Sequence, residues 1–270
     1  PNADAVFVEA TYGAARRGPE VAGERDRFRR QVGEVVRRNG IAWIPCYALD
    51  RTQRILYELH LAQREELLPD TLPIYCASPT AKEITALYRD NRRAGWFRDA
   101  VAGDAEAFSP REVLTTIPSH AKLPKPCIVI STSDMVYTAW MQSLLRQLLP
   151  EASTAVLLVG YCDPRSAAGR LKAGARELSI DGQATPVAAA VHSFGCFSGH
   201  GDATDIDRWL GNIAPSAPIF LVHGAPEELS ARADQLRELG RRSVHVPEPG
   251  RPIDLIEAIR AGRDVPTPQM

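Results

Sequence analysis

Cys127-Ile-Val-Ile-Ser131, then a helix-patterned stretch from Met141 to Leu149, then Val156-Leu-Leu-Val-Gly160 decide the class of fold. The two flanking runs are apolar throughout rather than alternating, and each has the length of a strand. Such runs suit strands covered on both faces, as in a parallel sheet between helices. Moving outward, the same alternation of strand and helix continues in both directions. Ala5-Val-Phe-Val-Glu9 and Ile41 to Ile44 are strand-like, and between them Phe28, Val32, Val35 and Val36 recur at helical spacing until Asn39-Gly40 stops the pattern. A second helix is expected from near Arg51, with Ile55, Leu56, Leu59 and Ala62 inward. A third opens at Ser78-Pro79, a cap residue followed by Pro at the first helical position, with Ile84, Leu87 and Tyr88 inward. Toward the end come strand Ile219–Val222, helix Glu227–Leu239 with Leu229, Ala233 and Leu236 inward, strand Ser243–Val246 and helix Ile253–Ile259. The pattern predicts an α/β protein with largely parallel sheets.

Composition narrows the class further. The 270 residues carry a net charge of −1, so bulk charge predicts no polyanion partner. Only Lys82, Lys122, Lys125 and Lys172 are lysines among the 32 basic residues, which leaves room for an arginine-lined groove. Cys46, Cys76, Cys127, Cys162 and Cys196 are scattered and odd in number, as expected of reduced thiols in a cytoplasmic protein. No apolar run approaches the roughly 18 residues of a membrane span, and no leader is seen, so no membrane is expected. The chain enters its first strand almost at once and without an initiator Met, so a cut from something longer is expected.

Three ionisable residues stand at the ends of apolar strand-like runs: Glu9 in V-E-A-T-Y-G, His200 in F-S-G-H-G-D and His223 in F-L-V-H-G. Parallel sheets place ligands at strand ends, where loops are free while strands fix geometry. Gly13, Gly201 and Gly224 follow them and permit a sharp turn or a close approach. Taken singly, such a histidine is more often a hydrogen-bonded structural residue, and such a glutamate a cap or surface carboxylate. The three in one chain bring a catalytic reading level with the structural one. A serine hydrolase using Ser198 is disfavoured, because no G-x-S-x-G elbow surrounds it.

These segments resemble the β-CASP branch of the metallo-β-lactamase-fold nucleases, in particular its RNA-processing members such as polyadenylation endonucleases and RNase J. V-E-A-T-Y-G is similar to the family's first motif with Glu9, F-S-G-H-G-D to its second with His200, and L-V-H-G to its third with His223. The junction from Ile44 to Gln53 resembles I-P-x-F-A-x-x-R-x-Q, Ile74 to Pro79 resembles I-Y-x-x-S-P, and Val159-Gly-Tyr161 resembles V-G-Y. A histidine at the third motif is associated with the RNA-cleaving branch. The resemblance implies part of a metallo-β-lactamase αββα sandwich, residues 1–13 and 196–270, with a Rossmann-like parallel-sheet β-CASP domain, residues 14–195, inserted in it.

The chemistry so implied is hydrolysis of RNA phosphodiester bonds by a two-zinc centre. Glu9 and His200 would be the catalytic pair and His223 a zinc ligand, with Ser131, Ser133, Arg51, Gln53 and Ser198 on the substrate side. Departures matter as much. The family's H-x-H-x-D-H motif, a further histidine and a bridging aspartate precede the first motif, so a partner half carrying most metal ligands is expected. His60, His120, His192 and His245 do not rebuild that site. In Ser131-Thr-Ser-Asp-Met135 relatives carry Gly at the position of Asp134, and Ala225 stands where they often have Glu. The alternative is therefore a non-catalytic relative that binds RNA or a partner subunit. RNA, the missing half and a homodimer are the partners the resemblance allows.

Overall fold

A computed structural model describes residues 3–18, 21, 23–76, 78–109, 113–114, 123–131 and 139–263. In chain order the elements begin β1 (Val6–Glu9), α1 (Glu24–Arg37), β2 (Ile41–Pro45), α2 (Arg51–Arg64), β3 (Ile74–Cys76), α3 (Pro79–Asp90), α4 (Asp99–Ala102) and β4 (Val113–Leu114). They continue with β5 (Cys127–Ser131), α5 (Ala139–Leu148), β6 (Ala155–Leu158), α6 (Ala167–Lys172), β7 (Glu177–Ile180), β8 (Gln183–Pro186) and β9 (Ala190–Ser193). The last are α7 (Ala203–Leu210), β10 (Ile219–Val222), α8 (Pro226–Glu238), β11 (Val244–His245) and α9 (Leu255–Arg263). Two compact units result, Pro1–Glu20 with Gly199–Met270, and Val21–Ser198. No helix among the described residues is long and apolar enough to cross a membrane.

The larger unit is built on a six-stranded sheet of order β4-β3-β5-β2-β6-β9, parallel throughout. Alternation within its strands sends side chains to two cores. Ala42, Ile44, Ile128, Ile130 and Leu157 meet α1 and α2 on one face. Ile41, Trp43, Val129, Val156 and Leu158 meet α5, α6 and the hairpin β7–β8 on the other. Both faces are thus covered, which is why these strands are uniformly apolar. Phe28 of α1 is fully buried, edge-on to Phe194 at 5.3 Å and to Phe197 at 5.0 Å. Truncating such a ring to alanine typically costs about 3–5 kcal/mol. Helices α1 and α2 are also joined through the buried carboxylate of Glu58, which accepts from Arg25 and Arg29.

The smaller unit holds a parallel sheet of order β1-β10-β11. Val6, Ile219, Leu221 and Val244 pack against Ile206 and Leu210 of α7 and against Ala233 and Leu236 of α8. On the opposite face Phe7 stacks on Phe220 at 4.7 Å, and Phe220 on His245 at 4.9 Å.

Several expectations need correction. Leu87, expected inward on α3, is 61% exposed, and Ile84 and Tyr88 are only half-buried. Leu229 is half-buried, and the last helix begins at Leu255, leaving Ile253 outside it and exposed. The smaller unit includes residues 14–18 as well, where Ala203 N–H donates to Ala15 O and Arg17 N–H to Asp202. At the other end, Glu24 accepts from the N–H groups of Gly195 and Cys196 and keeps them in the larger unit. Most of the Pro118–Pro126 stretch, with His120, lies outside the described residues.

Candidate active site

The register of the small sheet assembles the site. Glu9 lies opposite Val222, so β1 and β10 end at the same level, and Ala10 N–H donates to Val222 O. His223 follows directly, and an isolated parallel bridge between Tyr12 and Asp202 brings the loop with His200 alongside. Close packing of the chain on itself fixes this level. A Cβ on Gly224 would lie 2.7 Å from Ala10 O, and one on Gly13 2.6 Å from Ala10 Cβ. His223 itself takes φ 54°, a left-handed conformation that non-glycine residues adopt at a cost and that concentrates at functional sites.

Residues far apart in sequence meet here. His200 Nδ1 lies 3.2 Å from Glu9 Oε2, and the two histidine rings stack with centroids 5.2 Å apart. One donor atom from each of Glu9, His200 and His223 falls within 4.8 Å of the others. Glu9 also accepts from Thr11 N–H at 2.9 Å and from Gly201 N–H at 3.1 Å. Partial burial raises the Glu9 carboxyl, but the hydrogen bonds from Thr11, the nearby His200 and the Gly201 N–H outweigh it, and the net displacement is downward. Glu9 is therefore a carboxylate at neutral pH.

Thr11 links the end of β1 to both histidines. Its hydroxyl donates to His223 O at 2.9 Å and lies 2.9 Å from His223 Nδ1. A hydroxyl has a single proton, so with that proton on the carbonyl it can only accept from Nδ1–H. The ring of His223 is then the tautomer with its lone pair on Nε2, the form that ligates a metal. The same hydroxyl lies 3.4 Å from His200 Nδ1.

The loop carrying His200 is braced from below. Asp202 accepts from Arg17 N–H at 2.8 Å and from Asp205 N–H at 3.0 Å, completing a capping box for α7. Arg17 donates to His200 O at 2.6 Å. Sequence reasoning assigned no role to Thr11, Asp202 or Arg17. The first two lie inside quoted motifs and were open to discovery there, whereas Arg17 carries no local signal.

The substrate-side candidates separate. Ser131 is fully buried and accepts from Trp43 Nε1 at 2.9 Å. Gln53 is equally buried and donates to Ala48 O and Thr85 Oγ1, each at 3.0 Å, tying α2 to α3. Arg51 donates from Nη1 to Val159 O, and a Cβ on Gly160 would come within 2.9 Å of that nitrogen. The R-x-Q and V-G-Y segments thus meet at Arg51, and all three side chains make hydrogen bonds within the fold. Ser198 is half-buried in the larger unit. Ser133 and Asp134 lie outside the described residues.

Comparison with known proteins identifies two domains in the chain. Residues 52–171 match the Beta-Casp domain, and residues 185–247 match the Zn-dependent metallo-hydrolase RNA specificity domain, together more than half of the chain. A ribonuclease of Thermus thermophilus is 29% identical over 86% of the chain and 54% of its own length. Transcription termination factor FttA of Methanocaldococcus jannaschii is 24% identical over 92% of the chain and 41% of its own length. Subunit 3 of the cleavage and polyadenylation specificity factor of Dictyostelium discoideum is 27% identical over 84% and 29% respectively. The chain thus spans about half the length of the first of these relatives and less of the others. With both domains in place and three strand-end motifs converging on one site, the chain belongs to the β-CASP family of metallo-β-lactamase-fold nucleases.

Proposed function

We propose that this chain forms part of a zinc-dependent ribonuclease, in which Glu9 and His200 transfer the proton and His223 holds metal. The convergence of these three side chains, with donor atoms within 4.8 Å, carries the reading. On this reading the smaller unit belongs to the metallo-β-lactamase domain and the larger is the β-CASP insertion.

The donor set fits a share of a zinc site. Imidazole and carboxylate are zinc ligands, but a catalytic zinc takes three protein ligands and keeps a position open, and two ions need more. Residues beyond these three would supply the rest. Bound zinc would provide hydroxide at neutral pH and offset charge on the attacked phosphate. His223, with Nδ1 committed to Thr11, would ligate through Nε2. His200, with Nδ1 facing Glu9, would deliver a proton from Nε2 to the departing ribose oxygen. Glu9 stays anionic and stabilises the imidazolium before transfer.

Metal content and RNA cleavage test this, measured for the 270-residue chain and for a version extended to carry the remaining family ligands. The chain alone should retain no stoichiometric zinc after dialysis and cleave nothing. The extended version should cut single-stranded RNA until a chelator is added. Binding without cleavage under every divalent metal would instead make the chain a non-catalytic RNA-binding or partner subunit. Stoichiometric zinc in the chain alone would make Glu9, His200 and His223 a metal site in their own right.

A further inference from the structure

Between α3 and α4 the chain runs Asn91-Arg-Arg-Ala-Gly-Trp-Phe-Arg98. Two anchors hold this connection. The Arg92 guanidinium donates to Ala102 O at 2.9 Å and to Ala105 O at 3.0 Å. The Phe97 ring packs against Tyr88 and Phe108, each with centroids 5.4 Å away. Between the anchors Gly95 turns the backbone at φ +80°, a conformation that L side chains rarely adopt.

With Phe97 turned into that aromatic cluster, its neighbour Trp96 faces out and is 75% exposed. Leu87, near the end of α3, is exposed as well. Arg89, Arg93 and Arg98 are exposed, and among the described residues none of them pairs with a carboxylate. Arg89 donates only to the neutral Ser109 Oγ, at 3.5 Å. An outward indole on a doubly anchored segment, flanked by guanidinium groups that no carboxylate among the described residues neutralises, matches the two demands of a single-stranded nucleic acid. A base stacks on the aromatic face, worth roughly tenfold or more in affinity per base, while arginines take the phosphates. A protein face covering the same patch would have to supply a carboxylate to each cation it buried, whereas a nucleic acid carries a phosphate at every residue. Within residues 87–98 the four arginines outnumber the one carboxylate, Asp90, so charge favours the polyanion.

We propose that residues 87–98 form a contact surface for single-stranded RNA, with an unpaired base stacked on Trp96 and the flanking phosphates on Arg89, Arg93 and Arg98. This deepens the ribonuclease reading and rests on RNA being the ligand. The surface belongs to the larger unit, is not part of the Glu9–His200–His223 cluster and needs no metal.

The test is fluorescence anisotropy of a short labelled oligouridylate with the 270-residue chain, in chelator so that nothing is cut. Trp96→Ala should weaken binding roughly tenfold, and Trp96→Phe should recover most of it. Replacing Arg93 and Arg98 together by Ala should lower the slope of log affinity against log salt by about 1.4, the single-strand value for two phosphate contacts. Trp209→Ala, which removes an exposed indole elsewhere on the surface, should bind like the parent. If the parent binds and the Trp96 and arginine variants bind equally well, the surface is overturned and the RNA reading stands. If the folded parent binds no RNA even at low salt, RNA is not the ligand of this chain and both fall. If Trp96→Ala changes only self-association in sedimentation, the patch serves a second copy and the proposal is wrong.

Discussion

On the proposed reading, the hydroxyl of Thr11 gives its proton to His223 O and leaves Nε2 of His223 to meet a metal. Thr11→Val keeps the shape and removes the hydroxyl. In the zinc-loaded extended protein it should weaken metal affinity by roughly 10–100-fold, the usual cost of losing an outer-shell partner, with the melting temperature nearly unchanged. Metal competition titration reads this, and unchanged affinity would show that Thr11 does not set the tautomer. Ser131 makes the opposite kind of case. Its Oγ is the acceptor of a fully buried indole N–H, so Ser131→Ala should cost about 1–3 kcal/mol in urea unfolding. RNA affinity should not change. Lost affinity at full stability would restore it to the substrate side. Nothing in the sequence reveals the environment of Ser131, because burial of a short polar side chain depends on which distant residue faces it, here Trp43.

At the level of elements, signals local to the chain were legible and those requiring a partner were not. Ser78 caps α3 by accepting from Ala81 N–H at 3.1 Å with Pro79 at the first position, as Ser-Pro suggests. The strands Cys127–Ser131 and Ile219–Val222 appear where apolar runs place them. The inward face of α3 was misjudged, because Leu87 satisfies the helical period yet is left exposed, with no element among the described residues covering it. The hairpin of β7 and β8 escaped notice because each strand exposes every second residue or more and is only four residues long. The α7 cap was equally unassigned, although Asp202 lies in a quoted motif. Removing it by Asp202→Ala should cost about 1–2 kcal/mol for the cap alone, since the box and the Arg17 contact both go. Thermal unfolding measures the loss. A variant as stable as the parent would show that the loop bearing His200 is held by something else.

For the whole molecule, the α/β class and the convergence of three motifs could be inferred from spacing and resemblance, because strand ends in a parallel sheet fall on one side. Arg17 and the exposed Trp96 surface could not, since each depends on how loops fold back. The larger unit also carries a pH signature. Partial burial raises the Asp104 carboxyl, but the bond from His60 at 2.9 Å, the Glu106 N–H and Arg64 outweigh it and hold it low. A carboxyl depressed in the folded state stabilises fully above its unfolded pKa of about 4, and this stabilisation is lost as pH falls through the lower folded value. Acid unfolding of the chain should therefore be shallower for Asp104→Asn, which starts less stable at neutral pH, than for the parent. Parallel curves would remove Asp104 from the explanation.

The claim on which the rest depends is that His200 moves a proton while His223 holds metal, at one site. The most direct measurement sets His200→Ala beside His223→Ala in the extended protein, recording turnover of single-stranded RNA and bound zinc together. His200→Ala should lower turnover by about 10²–10⁴ with zinc content unchanged. His223→Ala should lose zinc and cleavage together. Full turnover in His200→Ala, or undiminished zinc in His223→Ala, would contradict these roles even with the fold as described.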